Sequence, residues 1–101
     1  MIYLTQLIYL QAGQEDTFDQ FEAVAIPLIS RYQGSLLLRI RHAQDSLIEG
    51  SMELPYETHV VSFPAESDFL DFMKDDTRKQ FLHLKEQSIR AVWLMKGEKL
   101  G

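Results

Sequence analysis

The sequence predicts one α+β domain over residues 1–101, ordered strand, helix, strand, strand, helix, strand, with a four-stranded antiparallel sheet and both helices on one face. Three observations point there. The apolar spacing switches between extended and helical periods in that order. A chain of 101 residues, 46% hydrophobic and 25% charged, suits one globular unit and not a disordered one. The first and fourth strands carry apolar side chains on both parities, so a sheet with helices on one face only is left with a second apolar face.

Residues 2–11, rich in Ile, Leu and Tyr, read as the first strand. Gly13 and Gln14 end it. Thr17 and Gln20 fit a capping box, with Glu15, Asp16 and Asp19 at the positive end of a helix. Phe18, Phe21, Ala25, Leu28, Ile29 and Tyr32 then recur at helical spacing, so the first helix is expected over about 17–32. Pro27 removes one hydrogen bond inside it, and Gly34 is placed for a left-handed C-terminal cap. Leu36 to His42 is the second strand, residues 43–55 a polar loop, and Tyr56 to Phe63 the third strand, stopped by Pro64. Phe69, Phe72 and Met73 mark a helix from Glu66 to Lys74. The run Lys74-Asp75-Asp76 interrupts it before a second stretch from Thr77 to Gln87. Arg90 to Lys96 is the fourth strand.

Composition excludes several function classes. There are no cysteines, which removes disulfides, thiolate metal sites and a cysteine nucleophile. The net charge is −5 and Lys and Arg form no stripe, so neither nucleic acid nor an anionic membrane surface is an expected partner. The apolar start lacks a basic segment and a cleavage site, and is too short to span a bilayer, which leaves a cytoplasmic location as the expectation. The three histidines lack metal-ligand spacing, so no metal is expected, and no cofactor motif is visible.

Parity sets the expected partner. In the first strand Ile2, Leu4, Ile8 and Leu10 point one way, and Tyr3, Leu7 and Tyr9 the other. In the fourth, Val92 and Leu94 oppose Ala91, Trp93 and Met95. Two helices cover one face, and exposed apolar patches of this extent mark interaction surfaces. A twofold homodimer through the open face is the simplest arrangement.

Tyr32-Gln33-Gly34-Ser35-Leu36-Leu37-Leu38-Arg39 resembles the Tyr-Gly-Gly-x-aromatic/Leu-Leu-x-Arg segment of domain-of-unknown-function family 1330. Leu47-Ile48-Glu49-Gly50 is similar to that family's Leu-x-Glu-Gly, and Val60-Val61-Ser62-Phe63-Pro64 to its Val-x-Glu-Phe-Pro. The resemblance covers about residues 27–73. It implies a ferredoxin-like protomer and a dimeric α+β barrel, and little about activity. Ser62 replaces the family's strand acid, Phe72 and Met73 stand where it has an aromatic pair, and Asp76-Thr77-Arg78 replaces its Pro-Glu-Tyr turn. Some barrel relatives degrade haem with a helix-two histidine, a helix Trp and a strand-one Asn. Leu82, Phe72 and Gln6 at the comparable positions argue against haem here.

Four residues are candidates for ligand binding: Arg39, His59, Tyr9 and Trp93. Arg39 and Arg41 share one face of the second strand. Arg39 could fork onto a carboxylate or enolate, against the plainer reading of a salt bridge to Glu57 or Glu49 across the hairpin. His59 can exchange a proton near neutral pH, against a histidine merely hydrogen-bonded in the sheet. Tyr3 and Tyr9 fit interface packing better than a pocket. His42 is expected in the loop, His83 on the second helix, and Asp68, Asp71, Asp75 and Asp76 on a solvated helix face and turn.

Two functions are carried forward. One is a barrel protein that binds a small, partly apolar molecule, with cofactor-independent oxygenation or isomerisation as the superfamily analogy. The other is a non-catalytic dimerisation or effector-binding module.

Overall fold

The computed structural model describes residues 1–101. The elements follow the expected order: β1 (Ile2–Leu10), α1 (Glu15–Leu28) with a 3-10 turn over Ile29–Tyr32, β2 (Ser35–Arg41), β3 (Glu57–Phe63), α2 (Glu66–Met73), α3 (Asp76–Gln80), α4 (Leu82–Ser88) and β4 (Ile89–Gly97). The sheet is antiparallel throughout and ordered β2-β3-β1-β4, which is the ferredoxin-like arrangement. No helix is long and apolar enough to cross a membrane.

Helix α1 begins two residues before the expected capping box. Gln14 is the N-cap, and the Thr17 hydroxyl donates to Gln14 Oε1 at 3.0 Å instead of capping the helix. The turn at Gly13, φ +78°, delivers the chain to the helix early, and Glu15 and Asp16 occupy the first turn, where the helix dipole favours acids. At the other end the left-handed residue is Gln33, φ 66°, and not Gly34. Gly34 is needed for a different reason. A Cβ there would stand 2.6 Å from the Phe63 ring and 2.7 Å from Ile29 Cγ2, so glycine lets the chain pass over the core as it enters β2.

Register settles the two faces. Leu4 pairs with Val61, Gln6 with His59 and Ile8 with Glu57. Arg39 pairs with His59 and Arg41 with Glu57. These residues, with Val92 and Leu94, face the helices. Leu4, Leu28, Ile29, Val61, Phe63 and Phe72 form the core between the two layers. Burying such side chains is worth about 1.5–3 kcal/mol each relative to exposure. The other face carries Tyr3, Thr5, Leu7 and Tyr9 of β1, Leu38 and Ile40 of β2, Thr58 and Val60 of β3, and Ala91, Trp93 and Met95 of β4. Leu38, Ile40, Trp93 and Met95 are all exposed, Trp93 to 56%.

The predicted second helix is broken into three. Asp75, expected on a solvated turn, is buried at 6% exposure. Its Oδ1 accepts the Arg78 backbone N–H at 2.8 Å, which caps α3, and its Oδ2 accepts the Tyr32 hydroxyl. This carboxylate ties the end of α1 to the start of α3 and so places Arg78.

Candidate functional site

Between the sheet and the helices lies a cavity of about 120 Å³. Its walls are mainly apolar, including Phe21 and Ile26 of α1, Phe69, Phe72 and Met73 of α2, and Val92 and Leu94 of β4. For scale, an engineered apolar cavity of about 150 Å³ accepts benzene. Four ionisable side chains reach the same space: Glu22, His59, Arg78 and Lys85.

His59 is 3% exposed and packs against Phe18, ring centroids 6.5 Å apart. Its Nε2 is 2.8 Å from Glu57 Oε1. An ionised carboxylate only accepts, so Nε2 carries the proton and Nδ1 is the lone-pair nitrogen. Nδ1 has no hydrogen-bond partner in the protein. Burial pushes the His59 pKa below its usual value, and the Glu57 carboxylate only partly restores it, so the imidazole is neutral at pH 7.

Glu57, 1% exposed, is held from three sides. Arg39 donates Nε–H to Oε1 at 2.8 Å and Nη2–H to Oε2 at 3.2 Å, Arg41 donates to Oε2, and His59 occupies Oε1. Asp19 joins Arg41 at 2.7 Å and Arg39 at 3.4 Å. Burial alone would raise the Glu57 pKa, but the bonds from Arg39, His59 and Arg41 outweigh it and hold the carboxyl below the usual range. Arg39 is therefore the across-hairpin ion pair and stands behind His59, not in the cavity wall.

Glu22 on α1 is 7% exposed and makes no hydrogen bond. Burial raises its pKa to about 7, against the opposing pull of Arg39, Arg78 and Lys85. Arg78 on α3 is 6% exposed and lies over the rings of Phe72 and Phe21, at 5.4 and 5.9 Å from their centroids. Its Nη1 donates to the Met73 carbonyl at 3.4 Å, while its buried Nε has no partner. Burial lowers the pKa of Lys85 on α4, and Arg78 adds to the effect.

Of the four residues singled out from sequence, His59 alone lines this cavity. Arg39 is on the same face but committed to Glu57. Tyr9 and Trp93 stand on the opposite face, because Trp93 pairs with Leu7 and Tyr9 with Ala91. Tyr9 is covered there by the loop before β3, its hydroxyl donating to the Glu53 carbonyl at 2.9 Å, with Arg90 over its ring. The four therefore do not converge on one site. His42, expected free in the loop, bonds Thr58 Oγ1 through Nε2 at 2.7 Å, and His83 is exposed, stacked on Phe81. Sequence reasoning missed Glu22, Arg78 and Lys85. Glu22 carried a signal, an acid four residues after Phe18 on the apolar stripe of α1.

Comparison with known proteins gives the fold. No protein-family model matches the chain, so the resemblance to family 1330 gains no support, and no curated protein matches it either. Solved structures do match. A protein of unknown function from Rhodopseudomonas palustris superimposes with a TM-score of 0.83 at 13% identity, over 99% of this chain and 82% of that one. A DABB family protein with a ferredoxin-like fold from Mesorhizobium loti gives 0.66 at 12% identity, over 99% and 97%. A protein described as a candidate antibiotic biosynthesis monooxygenase from Bacteroides thetaiotaomicron gives 0.72 at 12% identity, over 99% and 89%. At such identities the likeness is one of fold.

Proposed function

We propose that this chain binds a small, partly apolar molecule in the cavity between helices and sheet, and that His59 serves there as a general base. The observation that carries the reading is the Glu57–His59 pair at the cavity wall. A buried carboxylate fixes the tautomer and orientation of the imidazole, and the unbonded Nδ1 is the nitrogen able to take a proton. Glu57 is a positioning residue, itself immobilised by Arg39 and Arg41.

The chemistry that suits this pair is removal of a proton from a carbon next to a carbonyl. The C–H electron pair stays on the substrate as an enolate and the proton passes to Nδ1. Return of the proton to a different carbon is an isomerisation. Capture of the enolate carbon by molecular oxygen gives a peroxide that takes up the proton as a hydroperoxide, and loss of water from it leaves a new carbonyl; this oxygenation needs no cofactor, and one structural neighbour is described as a candidate monooxygenase. The neutral state of His59 at pH 7 favours the base role.

The test is C–H to C–D exchange in D2O, followed by NMR over a panel of single-ring ketones with an acidic α-hydrogen. Exchange above the buffer rate in the wild type, lost in His59→Gln, supports the base role. Ketones that bind without exchange would overturn it.

A second reading rests on a separate observation, the open face with Leu38, Ile40, Trp93 and Met95 exposed. We propose that this face pairs with a second copy of the chain. Covering apolar surface contributes roughly 25 cal/mol per Å² before association costs. On this reading Trp93 belongs to the dimer interface while Tyr9 stays beneath the loop before β3, and the chain serves as a dimerisation or effector-binding module if the cavity proves inert.

A further inference from the structure

We propose that the cavity ligand carries a single negative charge, a small carboxylate or an enolised ketone on a ring-sized apolar body, and that Arg78, backed by Lys85, recognises that charge. This rests on the cavity being the ligand site, as argued above, and adds the ligand's charge and the residues that read it.

The argument begins with how the carboxylates near the cavity are used. Glu57 is shared among Arg39, Arg41 and His59. Asp75 spends one oxygen on the Arg78 backbone N–H and the other on Tyr32. Glu22 lines the cavity but makes neither a hydrogen bond nor an ion pair with Arg78 or Lys85. The cavity wall therefore carries two cations and one acid, and although Glu22 and Asp75 attract Arg78 through space, no acceptor bonds its buried Nε. A buried donor on a charged group left without a partner is costly, and a perturbed charge beside a cleft is a candidate for ligand recognition.

The geometry of Arg78 narrows the ligand class. Nη1 is tied to the Met73 carbonyl, and the guanidinium carbon lies over the rings of Phe72 and Phe21. What remains is the Nε–Nη2 edge, and Nε is the one buried side-chain nitrogen in the protein without a partner. Nε and Nη2 share one edge of two parallel N–H donors, the arrangement that grips a carboxylate or a pair of enolate oxygens in bidentate fashion, and on this proposal a small turn of the side chain brings the enclosed Nε to the ligand. Apart from Gln6, Glu22, His59, Arg78 and Lys85 the wall is apolar, and the volume of about 120 Å³ limits the body to about one ring.

The probes are benzoate and benzamide, nearly the same shape and differing in charge, titrated by NMR into the wild-type protein. Benzoate is expected to bind at least tenfold more tightly, with shifts at residues of the cavity wall. In Arg78→Met, shown to be folded by circular dichroism, that preference is expected to disappear. Lys85→Met is expected to reduce the preference without abolishing it. Equal affinity of the two probes for the wild type would overturn the charge assignment and leave the cavity reading standing, whatever the variants do. Failure of both probes to perturb the cavity would overturn the cavity reading, and this inference with it. A preference retained in a folded Arg78→Met protein would overturn the role of Arg78.

Discussion

Glu57 and His59 stand two residues apart on β3, and the carboxylate of the first accepts the Nε2–H of the second at 2.8 Å on the buried side of the sheet. Alternation along a strand puts them on one face. The hairpin register adds Arg39 opposite His59 and Arg41 opposite Glu57, so four polar side chains from two strands make one connected network. Removal of Glu57 acts on both ends of it. Glu57→Gln is expected to cost about 2 kcal/mol in urea unfolding, since the partly exposed arginines can turn to Asp19 and solvent. The His59 pKa is expected to fall further below 6.5, because the bond that supports the imidazolium is weakened while burial remains. The Cε1–H chemical shift against pH reports it.

Glu22 predicts the pH profile of stability. Its folded pKa of about 7 lies above the 4.5 of an unperturbed carboxyl, so the folded state holds the proton more tightly. Its contribution is fully favourable below about pH 4.5 and is lost as pH rises through 7. His59 has the opposite sign. Its depressed pKa makes a contribution that is intact above 6.5 and is lost as pH falls through the folded value. Glu22→Gln is expected to match the wild type at pH 5 and to exceed it at pH 8 by on the order of 3 kcal/mol at most. Thermal melts at the two pH values compare them.

Gly34 predicts a local packing cost. An added methyl would meet the Phe63 ring at 2.6 Å and Ile29 at 2.7 Å, both in the core and neither free to withdraw. Gly34→Ala is expected to destabilise the protein by about 1–3 kcal/mol, read from the midpoint of chemical unfolding.

The open face predicts association. Trp93 is the only tryptophan, so its emission reports on its own surroundings. Dilution is expected to shift that emission to longer wavelength as a dimer separates. Trp93→Glu is expected to sediment as a single protomer with unchanged circular dichroism. A wild-type protein that sediments as one protomer at high concentration would contradict the pairing.

The order of elements was legible because the helices carry apolar residues at helical spacing, while the strands are short runs rich in Ile, Leu, Val, Thr and Tyr, several of them bounded by Gly or Pro. The Arg39–Glu57 contact was legible as the plainer of two readings, since both residues flank one hairpin. Which face His59 occupied was not, because a strand shifted by one residue reverses every side chain. The step that decides it, Gln6 opposite His59, joins residues 53 positions apart (59 − 6) and has no local signature. The burial of Arg78 and Lys85 was hidden for a related reason. The break at Lys74-Asp75-Asp76 was expected, but the burial of Asp75 against Tyr32, which places α3, has no local signature, and Arg78 and Lys85 look like solvated helix residues without it. The start of α1 was misplaced because Thr17 and Gln20 match a cap by type, while the turn at Gly13 had already begun the helix.

The sheet order has a consequence for biosynthesis. β1 precedes the other strands, yet it lies between β3 and β4, and Tyr3, paired with Ser62 on one side, meets Gly97 on the other only when β4 is in place. Until the ribosome has produced almost the whole domain, a nine-residue strand rich in Ile, Leu and Tyr has one edge or both unpaired. Slowed translation between β3 and β4 is therefore expected to lower the soluble yield more than slowing between β1 and α1.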